Sequence, residues 1–292
     1  MTRIFLAKTK RKKQFFDVNV VLLLSNFKKM MRVIFSILFV FISLNSVNSQ
    51  SGKSILQQKK MILIPKGVYN TFFISKSKKP IQVASFLMDE TAVTNAEFLE
   101  FVKANPSWRK SKINRLFADK NYLSHWDSDL EIGESKKNIY NSPVVNVSWF
   151  AAQAYCNWKQ KRLPTLAQWE LAGSAAPKNV KYTSVASYIL HWYEKPALPV
   201  LPNIKTTYIN SYGLFDMHGL IWEWAFDFNS FIGSTDSRNT TNDDQNLFCA
   251  GASINVTNRD DYAAFLRYSF RGSLKGNYCI SSLGFRCAKN IK

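Results

Sequence analysis

Between Tyr212 and Trp224 the chain reads YGLFDMHGLIWEW, and no other stretch restricts its fold as tightly. Aromatic anchors, two carboxylates and two glycines fall within thirteen residues. Gly213 and Gly219 permit a backbone tighter than residues with a Cβ tolerate. Asp216 and Glu223 are hard oxygen donors, of the kind a calcium ion takes together with backbone carbonyls. The same segment also suits a turn whose Trp222 and Trp224 plug a core, because large aromatics bury much area.

Further segments narrow the choice. Pro143–Trp158 reads PVVNVSWFAAQAYCNW, Arg162–Glu170 reads RLPTLAQWE, and Leu283–Ala288 reads LGFRCA. Ahead of them lie Met61–Gly67 (MILIPKG) and Phe86–Phe101 (FLMDETAVTNAEFLEF). In order and spacing these pieces resemble the formylglycine-generating enzyme (sulfatase-modifying factor) family, from about Met61 to Ala288. The resemblance implies an α+β, C-type-lectin-like fold with much irregular structure, in one domain over residues 61–290. It implies calcium held by Asp216 and Glu223 with backbone oxygens of Gly219 and Ile221, although Leu220 replaces the usual asparagine between them. It also implies a disulfide between Cys156 and Cys287. The family's other common bridge has neither partner, since Gly173 and roughly Tyr268 take those places. Cys249 and Cys279 remain, either bridged to one another or as free thiols.

Catalytic members of that family oxidise a sulfatase cysteine to formylglycine. They use a cysteine pair that binds copper as thiolates, the soft ligand Cu(I) prefers. Gly251-Ala252-Ser253 matches the strand before that pair, and Ser253 and Trp222 match residues lining the site. Counting forward from Ser253 puts Val256 and Asp261 at the thiol positions; counting back from Arg271 puts Asn258 and Ala263 there. Neither supplies sulfur, so copper is not expected. His125, His191 and His218 are the only histidines, and their spacing pairs none of them on a metal. His218 either faces a pocket from within the Tyr212–Trp224 loop or is an ordinary surface or hydrogen-bonded histidine. The run from Asn258 to Ala288 resembles exported members that lack the cysteine pair and are found beside copper nitrite reductases. Two functions stay open: a module that binds an exported protein or peptide partner, and a formylglycine-generating oxidase.

Charge and leader sequence concern location. Of 39 Lys/Arg and 20 Asp/Glu, nine and one lie in residues 1–49, so the remainder carries a net charge of +11. That charge favours anionic surfaces or acidic partners. The basic residues are dispersed rather than striped, and no nucleic-acid motif accompanies them. Met31-Arg32, the apolar run Val33–Leu44 and small residues at Val47 and Ser49 have the layout of a signal peptide over residues 31–49. A run that short does not span a bilayer. Residues 1–30 read as a mis-started extension. The expected product is exported, periplasmic or extracellular, without stable membrane insertion after cleavage.

Within the domain, residues 50–60 read as a mobile start, and alternation between Met61 and Phe86 predicts short strands and a hairpin. Thr94 with Glu97 forms a capping box for a helix Asn95–Lys103, which Asn105-Pro106 stops. Ser148 caps a helix running to about Lys161, and Thr165 with Gln168 starts another. Ser107–Ser142, lysine-rich and aperiodic, reads as a long loop or insertion. Residues 174–211, with Pro196, Pro199 and Pro202, read as loop. The rest is expected to alternate short strands and turns.

Overall fold

In the computed structural model, which describes residues 59–69, 80–133, 138–178, 184–196, 198–229 and 259–291, the alternation after Met61 becomes four short strands. β1 (Met61–Ile64) pairs antiparallel with β4 (Phe86–Asp89), and β2 (Gly67–Tyr69) pairs with β3 (Ile81–Val83) as the expected hairpin. The last strand of the chain, Ala288–Asn290, lies on the other edge of β4, so one small sheet ties the start of the unit to its end.

Side-chain caps decide where the first helices begin. α1 (Asn95–Ala104) starts where Thr94 Oγ1 accepts the Glu97 amide at 3.2 Å and the Glu97 carboxylate accepts the Thr94 amide at 2.8 Å. Such a cap is worth about 1 kcal/mol. α2 (Trp149–Trp158) starts at Ser148, and α3 (Leu166–Gly173) starts at a Thr165–Gln168 capping box. α2 stops three residues short of Lys161, and Gln160 beyond it takes a left-handed φ of 56°. That turn lets Lys161 N–H donate back to the Cys156 carbonyl at 2.8 Å.

One expectation holds and two fail. The described parts of residues 107–142 are largely irregular, as a long loop would be, although Ile113, Tyr122, Leu123 and Trp126 are buried in the main core. Residues 174–211 contain strand β5 (Pro177–Lys178) and helix α4 (Val185–Tyr193), whose N-cap is Ser184. All three prolines fall after that helix, so they mark its exit rather than exclude it. Beyond β6 (Ile209–Asn210) and β7 (Trp222–Glu223), a fourteen-residue helix α5 (Arg259–Gly272) stands where strands and turns were expected. Its inward residues Ala263, Arg267 and Arg271 recur every four positions. Two of them are charged, so a search for apolar periodicity does not see that face. β8 (Leu283–Gly284) pairs in parallel with β7, and β9 is the closing strand Ala288–Asn290.

The main core is aromatic. Phe98 of α1 stacks on Tyr155 of α2 at 5.8 Å and meets Trp126 and Phe285 edge-on, both at 6.2 Å. The Cys156–Cys287 disulfide joins α2 to the segment before β9 across 131 residues, with Cα atoms 5.8 Å apart. In the chain-entropy model a closure that long stabilises the fold by roughly 4–5 kcal/mol.

Candidate functional site

The Tyr212–Trp224 loop owes its shape to three residues with positive φ: Gly213 at 99°, Asp216 at 55° and Gly219 at 95°. A Cβ on Gly219 would also collide with the Tyr188 hydroxyl, so only glycine fits there.

The loop's two carboxylates do not share a ligand. Asp216 Oδ1 accepts the Thr207 amide at 2.9 Å and its hydroxyl at 2.8 Å, and Asp216 Oδ2 accepts the Lys205 amide. Glu223 accepts Trp169 Nε1 at 2.8 Å and a forked pair from Arg286, Nε and Nη2, each at 2.8 Å. Both Glu223 and Arg286 side chains are fully buried. Arg286 donates further to the Phe215 carbonyl at 2.9 Å. The calcium shell expected from Asp216, Gly219, Ile221 and Glu223 is therefore not what these residues build. Every carboxylate oxygen already receives a protein donor, and the cation beside Glu223 is the guanidinium of Arg286. Among the described residues no three His, Cys, Asp or Glu side chains gather as a metal site. The donor set does not fit calcium.

A second buried ionic cluster lies next to the first. Glu170 of α3 faces Arg267 and Arg271 of α5, with Arg267 Nη2 at 2.9 Å. Burial alone would raise the Glu170 carboxyl, but the two arginines outweigh it and hold it at about 2. Arg271 also lies over the Trp169 ring at 4.6 Å. His218 meets that indole edge-on at 5.3 Å, and its Nε2 donates to the Gly173 carbonyl at 3.1 Å. Of the two readings of His218, the structure selects the hydrogen-bonded one. Burial, with Arg267 nearby, lowers its basicity to about 3, so the ring is neutral.

Trp222 is half-buried in a ring stack, between Phe270 of α5 at 4.2 Å and Tyr193 of α4 at 5.3 Å. Ser253, Cys249, Val256 and Asn258 lie outside the described residues, and so does the side chain of Asp261. Ala263 is buried against Ala186 and Ile189 of α4. Cys279 is a free, buried thiol. Burial and the Asp119 carboxylate push that thiol well above its ordinary range, and the expected alternative of a bridge to Cys249 involves a residue outside those described.

One cavity was not foreseen. It encloses about 430 Å³ and brings together Asn146, His125 and Ser281 with apolar Ile139, Val145 and Leu201. His125 Nε2 lies 2.9 Å from Asn95 Oδ1, and Asn146 Nδ2 donates to His125 Nδ1 at 3.4 Å. Burial lowers His125 to about 4, with Lys110 adding to the effect, so this ring too is neutral. Asn146 holds a left-handed φ of 52° although it is not glycine, a strain that concentrates at functional sites. Its side-chain carbonyl accepts no hydrogen bond among the described residues, and neither does the Ser281 hydroxyl. The available signal was Asn95 and His125-Trp126, which share Asn95 Oδ1 as acceptor. Segments so distant in sequence gave no local pattern to read.

Comparison with known proteins now adds the family. A family model described as a sulfatase-modifying factor enzyme 1-like domain matches residues 47–291. The chain is 28% identical to the formylglycine-generating enzyme of Streptomyces coelicolor, over 72% of this chain and 80% of that one. It is 27% identical to the serine/threonine-protein kinase pkn1 of Chlamydia caviae, over 71% of this chain. The match spans about a third of that kinase, 33% of its length. Among solved structures, PvdO from Pseudomonas aeruginosa overlaps with a TM-score of 0.45 at 15% identity, over 80% of this chain and 95% of that one.

Two outcomes follow from the buried groups. Stripping divalent ions with a chelator is expected to leave the melting temperature within about 1 °C of its untreated value; a drop of several degrees, restored by calcium, would return the ion to the loop. His218 sets a pH limit. Its folded value, about 3, lies below the unfolded value of 6.5, so the unfolded chain binds the extra proton. Its contribution is complete above pH 6.5 and is lost as pH falls toward 3, by roughly 3–5 kcal/mol in all. In melts across pH 4–7, His218→Gln should show a shallower acid limb than the wild type. Equal slopes would remove His218 from the account.

Proposed function

The chain belongs to the sulfatase-modifying factor enzyme 1-like family, and we propose that it uses the family's fold to bind an extended peptide of an exported protein without oxidising a cysteine. The observation that carries this reading is the state of the described cysteines. Cys156 and Cys287 are joined, and Cys279 is alone, buried and protonated. Ala263, one of the pair that counting back from Arg271 puts at the thiol positions, supplies only a methyl group. Copper(I) needs facing thiolates, and the described residues do not fit it.

The His125 cavity supports the binding half. Its volume falls in the range of small-ligand pockets, roughly 300–1,000 Å³, and its walls are mainly apolar. An apolar side chain of a peptide would enter between Val145 and Leu201. A backbone N–H beside it would find the Asn146 side-chain carbonyl and the Ser281 hydroxyl, which accept nothing from the other described residues. Neutral His125 adds no charge, so the cavity favours uncharged side chains. The disulfide supports export, because such bonds persist in oxidising compartments. The likeness to members found beside copper nitrite reductases makes a peptide from such a reductase a reasonable first ligand.

The test separates binding from chemistry. The purified chain is loaded with copper, given reductant and oxygen, and offered a CxPxR peptide, with the cysteine followed by mass spectrometry. No mass loss is expected. Turnover that disappears in a Cys249→Ser, Cys279→Ser variant would make the protein a formylglycine-generating oxidase. Binding is read by fluorescence anisotropy with peptides carrying one apolar or one acidic residue at a fixed position. The apolar peptide should bind, and Val145→Glu should weaken it about tenfold, the cost of placing one charge in an apolar pocket. Equal binding by both proteins would sink the cavity as the peptide site.

A further inference from the structure

Apart from His125, residues 109–131 carry a surface that neither the ionic network nor the cavity uses. Arg109, Lys110, Arg115 and Lys120 line an open cleft of about 770 Å³, against only Asp129 and Glu131 of opposite sign. Asp129 feels the charge of Arg109, which helps lower its carboxyl, but it makes no salt bridge to the four bases among the described residues. Asp129 is turned onto Ser111, accepting its amide at 2.7 Å and its hydroxyl at 2.6 Å. The cations bond to carbonyls instead: Lys110 Nζ to Trp126 at 2.7 Å, and Arg115 Nη1 to Asp119 at 2.9 Å. Among the described residues none of the four makes a salt bridge. Arg115 and Lys120 are exposed, and Arg109 and Lys110 are half-buried.

Beside this cleft the chain presents apolar side chains to water. Leu116 is 76% exposed, the most of any large hydrophobic residue described, and Phe117 is 45% exposed. The turn that carries them is held from both ends. Asn114 accepts the Leu116 amide through Oδ1 at 2.9 Å and the Phe117 amide through its carbonyl at 2.9 Å. Ile113 before the turn and Ala118 after it are buried in the main core. Phe117 rests one edge on Phe150 at 5.4 Å. The turn therefore holds Leu116 outward on a fixed base, so little conformational entropy is lost when it docks.

We propose that the Asn114–Ala118 turn and the adjoining basic cleft form an interfacial docking surface for an anionic lipid bilayer. The pairing of features selects this occupant. A free phosphate or an acidic peptide would satisfy the four cations but leave Leu116 in water. A bilayer takes both, with lipid phosphates against Arg109, Lys110, Arg115 and Lys120 while Leu116 and Phe117 enter the acyl boundary. The net charge of +11 outside the leader attracts the same surface from a distance. No membrane-crossing helix is needed, and among the described residues none is long and apolar enough to be one. The docking does not depend on the peptide reading of the His125 cavity, which uses other residues.

The experiment is hydrogen exchange of the full chain with vesicles, since it reads residues 109–120 separately from the leader. Vesicles of phosphatidylcholine with phosphatidylglycerol should slow exchange in residues 109–120, and neutral phosphatidylcholine vesicles should not. The protection should vanish at high salt, where exposed charges are screened. In cosedimentation with the mixed vesicles, Arg115→Glu with Lys120→Glu, and separately Leu116→Asp, should each lower partitioning about tenfold. Circular dichroism should show both variants folded, because the three side chains are exposed. Unchanged exchange at residues 109–120 with anionic vesicles would overturn the proposal. So would protection by a polyglutamate peptide and not by vesicles, which would make the partner an acidic protein.

Discussion

The fold depends on one ion pair that water never reaches. Glu223 and Arg286 are both fully buried, joined by a forked pair of charge-assisted hydrogen bonds, and Trp169 donates to the same carboxylate. Three sequence segments distant from one another therefore meet on one carboxylate. Removing one partner from such a pair strands a charge in the interior, which costs roughly 3–5 kcal/mol. The second cluster is built the same way from the next residues. Glu170 adjoins Trp169, Arg271 covers the indole, and Arg267 completes the pairing. Charged residues here do the orienting that apolar stripes do in simpler folds.

That arrangement explains what could be read from the sequence. Helices α1 to α3 were legible because Thr94, Ser148 and Thr165 are short polar side chains followed by the residues they cap. Helix α5 was not, because Arg267 and Arg271 point inward at helical spacing and look like a solvated face until Glu170 is found opposite. The importance of Asp216 and Glu223 was legible, but their partners were not. Hard oxygens suggest a metal, and only the fold shows that the loop's counter-charge comes from Arg286, sixty-three residues on. Tyr122, Leu123 and Trp126 reach the core from an irregular segment, so no periodicity announced them.

The same logic separates family from chemistry. The residues that carry the family likeness (Trp169, Glu170, Trp222, Glu223, Arg286, Cys156 and Cys287) hold the architecture together. A fold secured this way can keep its surface concavities while its chemistry changes. The His125 cavity lies among Asn95 of α1, His125, Gly133, residues 139–146, residues 198–201 and Ser281. It borrows rigidity from the aromatic core through Asn95, whose amide nitrogen bonds the carbonyls of Ile139, Ser142 and Pro143. No cysteine lines it among the described residues.

A double-mutant cycle on Glu223→Gln and Arg286→Gln, with unfolding free energies measured for all four proteins, tests the central claim most directly. If the buried pair anchors the loop, each single variant loses several kcal/mol and the coupling is about 2–3 kcal/mol, because the second change removes a charge the first had stranded. A coupling below about 0.5 kcal/mol, the size expected of independent sites, would mean that Glu223 answers to something other than Arg286, and the account would fall with it.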